Sequence, residues 1–254
     1  MSNTHIVIPD QHADPRFPND RADWIGQLIK DVKPNVVVNL GDSADMASLS
    51  SYDKGKRSFQ GRSYSSDLAS HLDFQERMWD PVFRTKKKLP YSVVLEGNHE
   101  HRIERALDLS PELTGTIGFK DLAYDSYYND VVRYDGGTPG IIDIDGISYA
   151  HYCVSGVMGM PSSGLHPAAY LNSKQAASCI QGHTHTLDFS VATTVTGRKI
   201  MSMVAGCAFD YSSDWAGNAN RFYWRGVIIL HDVENGTYDP EFISLERLRR
   251  TYGA

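Results

Sequence analysis

Cysteine is scarce in this chain: Cys153, Cys179 and Cys207 are all it has among 254 residues. An odd number of thiols, with no leader-like segment, excludes a disulfide framework of the secreted kind, and reduced thiols in a cytoplasmic protein are expected. Long apolar runs are missing as well. Stretches such as Val227 to Leu230 fall far short of the ~20 residues that span a bilayer, so no membrane partner is expected. No low-complexity tract, internal repeat or linker interrupts the chain, which leaves one domain over residues 1–254. Positive charge is not in surplus, the formal net charge being -6. That argues against a general nucleic-acid coat protein, although bound divalent cations would offset it locally and a nucleotide substrate stays open.

What is present, at 41% hydrophobic and 22% charged residues, is the ordinary composition of an enzyme, with short apolar runs alternating with helical patterns. Ile6, Val7 and Ile8 lead into Pro9-Asp10-Gln11-His12. A helix follows from Asn19 or Asp20, with Trp24, Ile25, Leu28, Ile29 and Val32 at helical spacing and Pro34 at its end. The next strand, Asn35 to Leu40, ends in Gly41-Asp42-Ser43-Ala44-Asp45. Strand, helix and strand in this order imply a right-handed crossover with parallel strands, so Asp10 and Asp42 leave at the same edge.

Residues 48–66 mix Lys54, Lys56, Arg57 and Arg62 with Tyr52, Phe59 and Tyr64. Two readings stand: a loop that grips phosphates and stacks on bases, or a solvated loop. A helical pattern runs from Asp67 to Trp79 and is expected to end or kink at Asp80-Pro81, and Lys86 to Lys88 suit a helix carboxyl end. Tyr91 to Leu95 then reads as a strand delivering Gly97-Asn98-His99-Glu100-His101. A helix over Glu100 to Leu107 would turn its amino end, and a preference for an anion, towards Asn98. Residues 109–130 read as short helices covering the sheet.

A hairpin across Asp145-Gly146 joins Ile141–Ile144 to a strand ending on Ala150-His151-Tyr152. After a Gly- and Ser-containing segment, a helix over Pro167 to Ala177 precedes a short strand, Ser178 to Gln181, that ends in Gly182-His183-Thr184-His185. Hairpins then follow: Phe189–Val195 with Lys199–Val204, and Tyr223–Val233 with Thr237–Leu245. These are expected to form a second sheet packed on the first. The loop between them holds Tyr211, Trp215, Phe222, Tyr223 and Trp224, and could shape a pocket, a subunit contact or core.

Seven donors thus stand at strand exits: Asp10, His12, Asp42, Asn98, His151, His183 and His185. Oxygen and imidazole without thiolate suit Mn, Fe, Co, Ni or Zn rather than a structural zinc. One bridging carboxylate with three ligands for each ion would hold two metals about 3.5–4 Å apart, the spacing of two-metal hydrolases.

The ordered motifs D-x-H, G-D-x-x-D, G-N-H-E, a lone H and G-H-T-H, from Asp10 to His185, resemble those of the calcineurin-like metallophosphoesterase superfamily. The resemblance implies an α/β fold, a four-layer α/β/β/α sandwich of two mixed β-sheets flanked by helices, with a dinuclear metal site at the strand carboxyl ends. It implies that Asp10, His12 and His185 hold one metal, that Asn98, His151 and His183 hold the other, and that Asp42 bridges them. His99 would assist the leaving group, with Asp42 and Asn98 completing the catalytic set. Where protein phosphatases of the superfamily carry Asp-Arg-Gly, Asp45 is followed by Met46-Ala47. Glu100 stands where many nucleases and cyclic-nucleotide phosphodiesterases of the superfamily have Asp, and Tyr152 where a small glycine is common. The whole is similar to compact phosphoesterases of bacteria and their phages.

On this reading two divalent cations, Mn foremost with Fe, Zn, Co or Ni as alternatives, activate a shared water that attacks a phosphate mono- or diester. Asp45 and Glu100 would fix ligand geometry. Arg102 would either orient the phosphate or pair with Glu100 or Asp45, and His166 is a candidate to reach substrate. Two alternatives remain: a Mn-dependent nuclease gripping DNA or RNA through residues 54–64 and the loop near Trp215, and a non-catalytic binding scaffold on the same fold. His5 and His231 read as packing residues, His71 as part of a helix, and His101 as a supporting or surface group.

Overall fold

The computed structural model describes residues 2–85, 88–156 and 159–253, and of Asp214 and Trp215 the backbone alone. The expectations for Lys86, Lys87 and the Trp215 side chain lie outside the described residues. The first strand, β1 (Asn3–Ile8), pairs in parallel with β2 (Val36–Asn39), which pairs in parallel with β3 (Tyr91–Leu95). Their apolar residues are buried on both faces, as continuous apolar runs in a parallel sheet must be. The crossovers are α1 (Asp20–Val32) and α2 (Tyr64–Phe83). A short strand not read from the sequence, β4 (Asp130–Val132), extends the sheet beyond β3.

A second sheet is built from β5 (Ile141–Ile144), β6 (Ile147–Ala150), β9 (Cys179–Gln181), β10 (Leu187–Thr193) and β11 (Lys199–Ala205), in the order β10-β11-β9-β6-β5. Between β6 and β9 lie a two-stranded ribbon, β7 (Val154–Ser155) with β8 (Met160–Pro161), and α4 (Pro167–Gln175). The helix α3 (Arg102–Leu109) follows β3; a 3-10 turn at Pro111–Leu113 lies against it, and those at Phe119–Leu122 and Tyr124–Ser126 cover the sheet with Leu122 and Tyr124 as expected.

The last hairpin corrects the sequence reading. Its strands, β12 (Gly226–Glu234) and β13 (Thr237–Ser244), complete the first sheet, with β12 antiparallel to β1 in the order β13-β12-β1-β2-β3-β4. The reason is visible in burial: Val227, Ile228, Ile229 and Leu230 are all 3% exposed or less, which suits an interior strand covered on both faces. A final helix, α5 (Leu245–Tyr252), was also not anticipated, and it packs Leu245 and Leu248 beside α1.

The two sheets face each other across a core that includes Val7, Val38 and Val93 from one and Tyr149, Ile180 and Met203 from the other. On the outer face of the first sheet, Ile25 and Ile29 of α1 meet Phe74, Met78 and Trp79 of α2. On the outer face of the second, Leu171 of α4 meets Ala150, Cys179 and Val204. Helices therefore flank both sides of an α/β sandwich. No helix among the described residues is long and apolar enough to cross a membrane.

Two helix boundaries differ from expectation. Ser63 caps α2 by accepting from the Ser66 amide, so the helix starts at Tyr64, before its apolar pattern begins. It continues through Pro81 to Phe83, because that proline lies in the last turn, where one lost hydrogen bond is tolerated. The close contact of α1 with α2 depends on Gly26: an added Cβ would collide with the Met78 carbonyl and lie 3.1 Å from Pro81 Cγ. Gly26→Ala would raise helix propensity by about 1 kcal/mol in an exposed helix. Here overpacking should dominate, and a net loss of roughly 1–3 kcal/mol is expected in urea denaturation; a gain in stability would show that the helices do not meet this closely.

Candidate metal centre

Since β1, β2 and β3 are parallel, the loops after them open at one edge, and β6 and β9, parallel to each other, bring theirs to the same place. The chain turns sharply at each exit. Asp10, His12, Asp42, His183 and His185 all have positive φ, between 28° and 69°, which β-carbon-bearing residues seldom adopt. Such strain concentrates where side-chain aim matters more than backbone comfort.

The seven candidate donors converge. Asp42 turns Oδ1 to the His99 amide, at 2.8 Å, and leaves Oδ2 at 3.4 Å from His151 Nε2 and 3.6 Å from His12 Nε2. On one side of that oxygen, His12 Nε2 lies 3.2 Å from His185 Nε2, which is 3.6 Å from Asp10 Oδ2. On the other side, His151 Nε2 lies 3.0 Å from Asn98 Oδ1, with His183 close to His151 and Asp42. Donors of both groups thus stand within 3.6 Å of one carboxylate oxygen.

Each ring is aimed by what holds its other nitrogen. His151 Nδ1 donates to the Leu40 carbonyl at 2.9 Å, and His12 Nδ1 to Asp45 Oδ1 at 3.0 Å, so both turn Nε2 to the cluster. His99 Nδ1 donates to the Asp45 carbonyl at 2.7 Å; a carbonyl can only accept, so this nitrogen carries the hydrogen and Nε2 the lone pair. Arg102 donates to that Nε2 at 2.9 Å and to the carbonyls of Asp45 and Met46. It therefore makes neither of the ion pairs, to Glu100 or Asp45, that the sequence left open, because those carboxylates are already engaged.

Glu100 is wholly buried, and its two oxygens accept from the amides of Asp42, Ala44 and Gly97 and from the hydroxyls of Ser43 and Tyr124, at 2.9–3.2 Å. It ties the exit of β2 to the exit of β3. The helix after β3 begins at Arg102, later than expected, because the amides of His101, Arg102 and Ile103 are taken by the carbonyls of Gly97, His99 and Glu100. Those amides are consequently not free to meet an anion.

Charge is crowded here. Burial, partly countered by His151, pushes the Asp10 carboxyl up to about 7. Burial also opposes ionisation of Asp42, but His151, His99 and His12 outweigh it and hold that carboxyl well below the usual range. Burial works against a charge on His151, yet Asp42 and Asp10 raise it to about 9. Burial and the neighbouring His151 pull His183 down to about 4.

These residues fit divalent cations. Among the described residues Asp10 Oδ1 is buried without a hydrogen-bond partner, with His151 Nδ1 at 3.6 Å, an expensive state for a carboxylate that a bound cation would relieve. Donor atoms bonded at about 2.1 Å to one ion lie roughly 3.0–3.4 Å apart, close to the separations found here. His12, Asp45 and His99 also gather closely enough to hold an ion. That group is satisfied without one, since both rings present Nδ1 to Asp45.

A cleft of about 680 Å³ opens above the cluster and is lined by Asp42, Asn98, His99, Arg102, His183 and His185 on the side of the strand ends. Tyr52, Lys56 and Arg62 line its far wall, although Asp53 engages Arg62 at 2.8 Å and lies 3.7 Å from Lys56. Tyr223 of the aromatic loop also lines it, while Phe222 is 71% exposed. His166, a candidate to reach substrate, does not line it: the residue is exposed before α4, where Pro167 starts the helix. His5 is buried against Tyr149 and Asp145, and His101 bonds Glu96. His231 is not a packing residue, its side chain being 44% exposed and paired with Glu241.

Two residues went unnoticed in the sequence. Arg16 lines the cleft, its guanidinium paired with buried Asp14. Arg21 is fully buried and donates to the carbonyls of Gln11, Ala208 and Pro18, which fixes the turn carrying His12. A cation in the first turn of a helix opposes the helix dipole, and that anomaly was the available signal.

Glu100→Gln keeps the shape but replaces one accepting oxygen by a donor that faces amides. The variant should lose roughly 1–3 kcal/mol of stability, read from thermal unfolding of the metal-free protein; an unchanged melting temperature would remove Glu100 from its place as the tie between the two exits.

No family model matches this chain, and no curated protein does. Among solved structures it is similar to TT1561 of Thermus thermophilus, at 8% identity over 95% of this chain and 99% of that one, with a TM-score of 0.37.

Proposed function

We propose that the chain hydrolyses phosphate mono- or diesters with the help of two divalent cations, in the manner of calcineurin-like phosphoesterases. The observation that carries this reading is Asp42 Oδ2, a single carboxylate oxygen between two groups of imidazole and oxygen donors at the floor of an open cleft. Asp10, His12 and His185 would hold one ion, Asn98, His151 and His183 the other, and Asp42 both. Bound there, the cations would lower the pKa of a water and neutralise charge on the phosphoryl group; Mn suits the mixed donor set, and Fe, Zn, Co or Ni are alternatives.

The chain's own residues do the rest. His99 is held by Asp45 so that Nε2 faces the cleft beside Arg102. A substrate oxygen placed between them accepts from the Arg102 guanidinium and releases the Nε2 lone pair, which takes up a proton from solvent in the cleft; the imidazolium so formed donates that proton to the leaving oxygen. Asn98 and Arg102 orient the phosphate, and burial of Asp10, His12 and His151 keeps bulk water from the floor. Three buried, free thiols suit a reducing compartment. A nucleic-acid strand is the second substrate class, supported by Tyr52 and Lys56 on the cleft wall, an exposed ring and an exposed cation.

His99→Asn should lower turnover of a substrate with a poor leaving group by roughly 10²–10⁴-fold while metal content is kept. Unchanged turnover would take the proton role from His99. Asp42→Asn should lose both metal and activity, and a fully metallated, active variant would rule out sharing of that carboxylate. Wild-type protein that, once stripped, neither binds Mn nor cleaves bis(p-nitrophenyl) phosphate would overturn the enzymatic reading in favour of a binding scaffold. Single- and double-stranded DNA and RNA, tested beside small esters, separate the two substrate classes.

A further inference from the structure

The candidate ligands are not held alike. His12, His151 and the neighbouring His99 each anchor Nδ1 on an oxygen. His185 sits with its ring centroid 5.1 Å from Phe209 and 4.7 Å from Tyr223. His183 is tethered through its backbone, whose amide donates to Asp10 Oδ2, but among the described residues its ring makes no hydrogen bond. It is also one of the two donors that are only half-buried, the other being Asn98. A histidine ring turns about a broad, two-fold torsion, so something other than a hydrogen bond must set its plane.

That neighbour is a tyrosine. The Tyr152 ring lies 4.7 Å from the His183 ring at 42°, and His151 closes the other approach at 5.2 Å. Tyr152 is itself backed by rings: Tyr134 stands edge-on to it at 6.5 Å, and His101 stacks on Tyr134 at 4.2 Å. The column is rooted in Glu96, whose carboxylate is fully buried and accepts from His101 Nδ1, Arg133 Nε and the Tyr134 amide. None of these groups lines the cleft; the column meets the site through the back of His183 and, at 5.7 Å, through the ring of His151, a donor of the same group.

We propose that Tyr152, braced by Tyr134 and His101, is the positioning residue for His183, and so sets affinity at the more open of the two metal positions. The proposal rests on the dinuclear reading above. Removing a group that orients a metal ligand commonly costs 10–100-fold in affinity. Tyr152→Ala should therefore weaken the second equivalent of Mn by roughly 10–100-fold and leave the first unchanged, whereas Tyr152→Phe, which keeps the ring, should behave as wild type.

Calorimetric titration of stripped protein with Mn, followed by electron paramagnetic resonance, reads this without any substrate. Two ions sharing Asp42 give an exchange-coupled spectrum; a singly loaded Tyr152→Ala protein at limiting Mn gives that of an isolated ion. Wild type that takes up no Mn would sink the dinuclear reading itself. Wild type and Tyr152→Ala that bind two equivalents equally well would overturn the role of Tyr152 and leave the reading intact. Equal weakening of both equivalents would also overturn it, as general loosening. Should the alanine variant fail to fold, Tyr152→Leu, which keeps bulk but not a planar face, carries the same expectation and the same refutation.

Discussion

One buried carboxylate makes the rest of this site feasible. Glu100 gathers the amides of Asp42, Ala44 and Gly97, so two loops that leave adjacent strands cannot move apart without stranding three donors in the interior. The closeness this demands excludes side chains. A Cβ on Gly97 would collide with Asp42 Oδ1 and sit 2.8 Å from Glu100 Oε2, and one on Gly41, at φ +93°, would lie 2.7 Å from the Gly97 amide nitrogen. Asp42 is thereby pinned through its own amide and through Oδ1, with Oδ2 alone left for the centre. The tie has an electrostatic cost: burial, and then the charge of Asp42, pull the Glu100 carboxyl up from its ordinary range.

How much of this is legible in the sequence varies with distance along the chain. The exits of β1, β2 and β3 can be read because each apolar run stops abruptly at polar residues and the helices between them require parallel strands. The two glycine-centred turns, before Asn98 and before His183, stand out for the same reason. Pairing across the chain is another matter. Nothing local in Gly226–Glu234 says whether that strand joins β1 or β11; only the need to cover both of its faces decides, and that appears once the sheets are assembled. α5 escapes notice because its segment, Leu-Glu-Arg-Leu-Arg-Arg-Thr-Tyr, buries only Leu245 and Leu248. β4 is simply too short to show a period.

Side-chain roles divide in a similar way. Residue types predict which groups can donate to a cation, and the fold brings all seven together, but orientation depends on partners far away in sequence. Asp45 meets His12 and His99, and Tyr211 meets the His12 carbonyl from nearly the other end of the chain. Arg102 shows the limit most plainly: from sequence it faces two carboxylates, yet in the fold those are spent elsewhere and it turns to carbonyls and an imidazole.

The left-handed backbone at Asp10, His12, Asp42, His183 and His185 has a consequence for rigidity. Each such residue costs of order 1–3 kcal/mol, and the sheets must hold it there whether or not an ion is near. The ordering entropy of the loops is therefore spent when the chain folds, and little would remain to be spent on binding the proposed cations. On the proposed reading, a frame of this kind would select by size and preferred bond length rather than by closing around its guest. An ion that wants longer bonds or more oxygens, as calcium does, would meet donors that do not follow it.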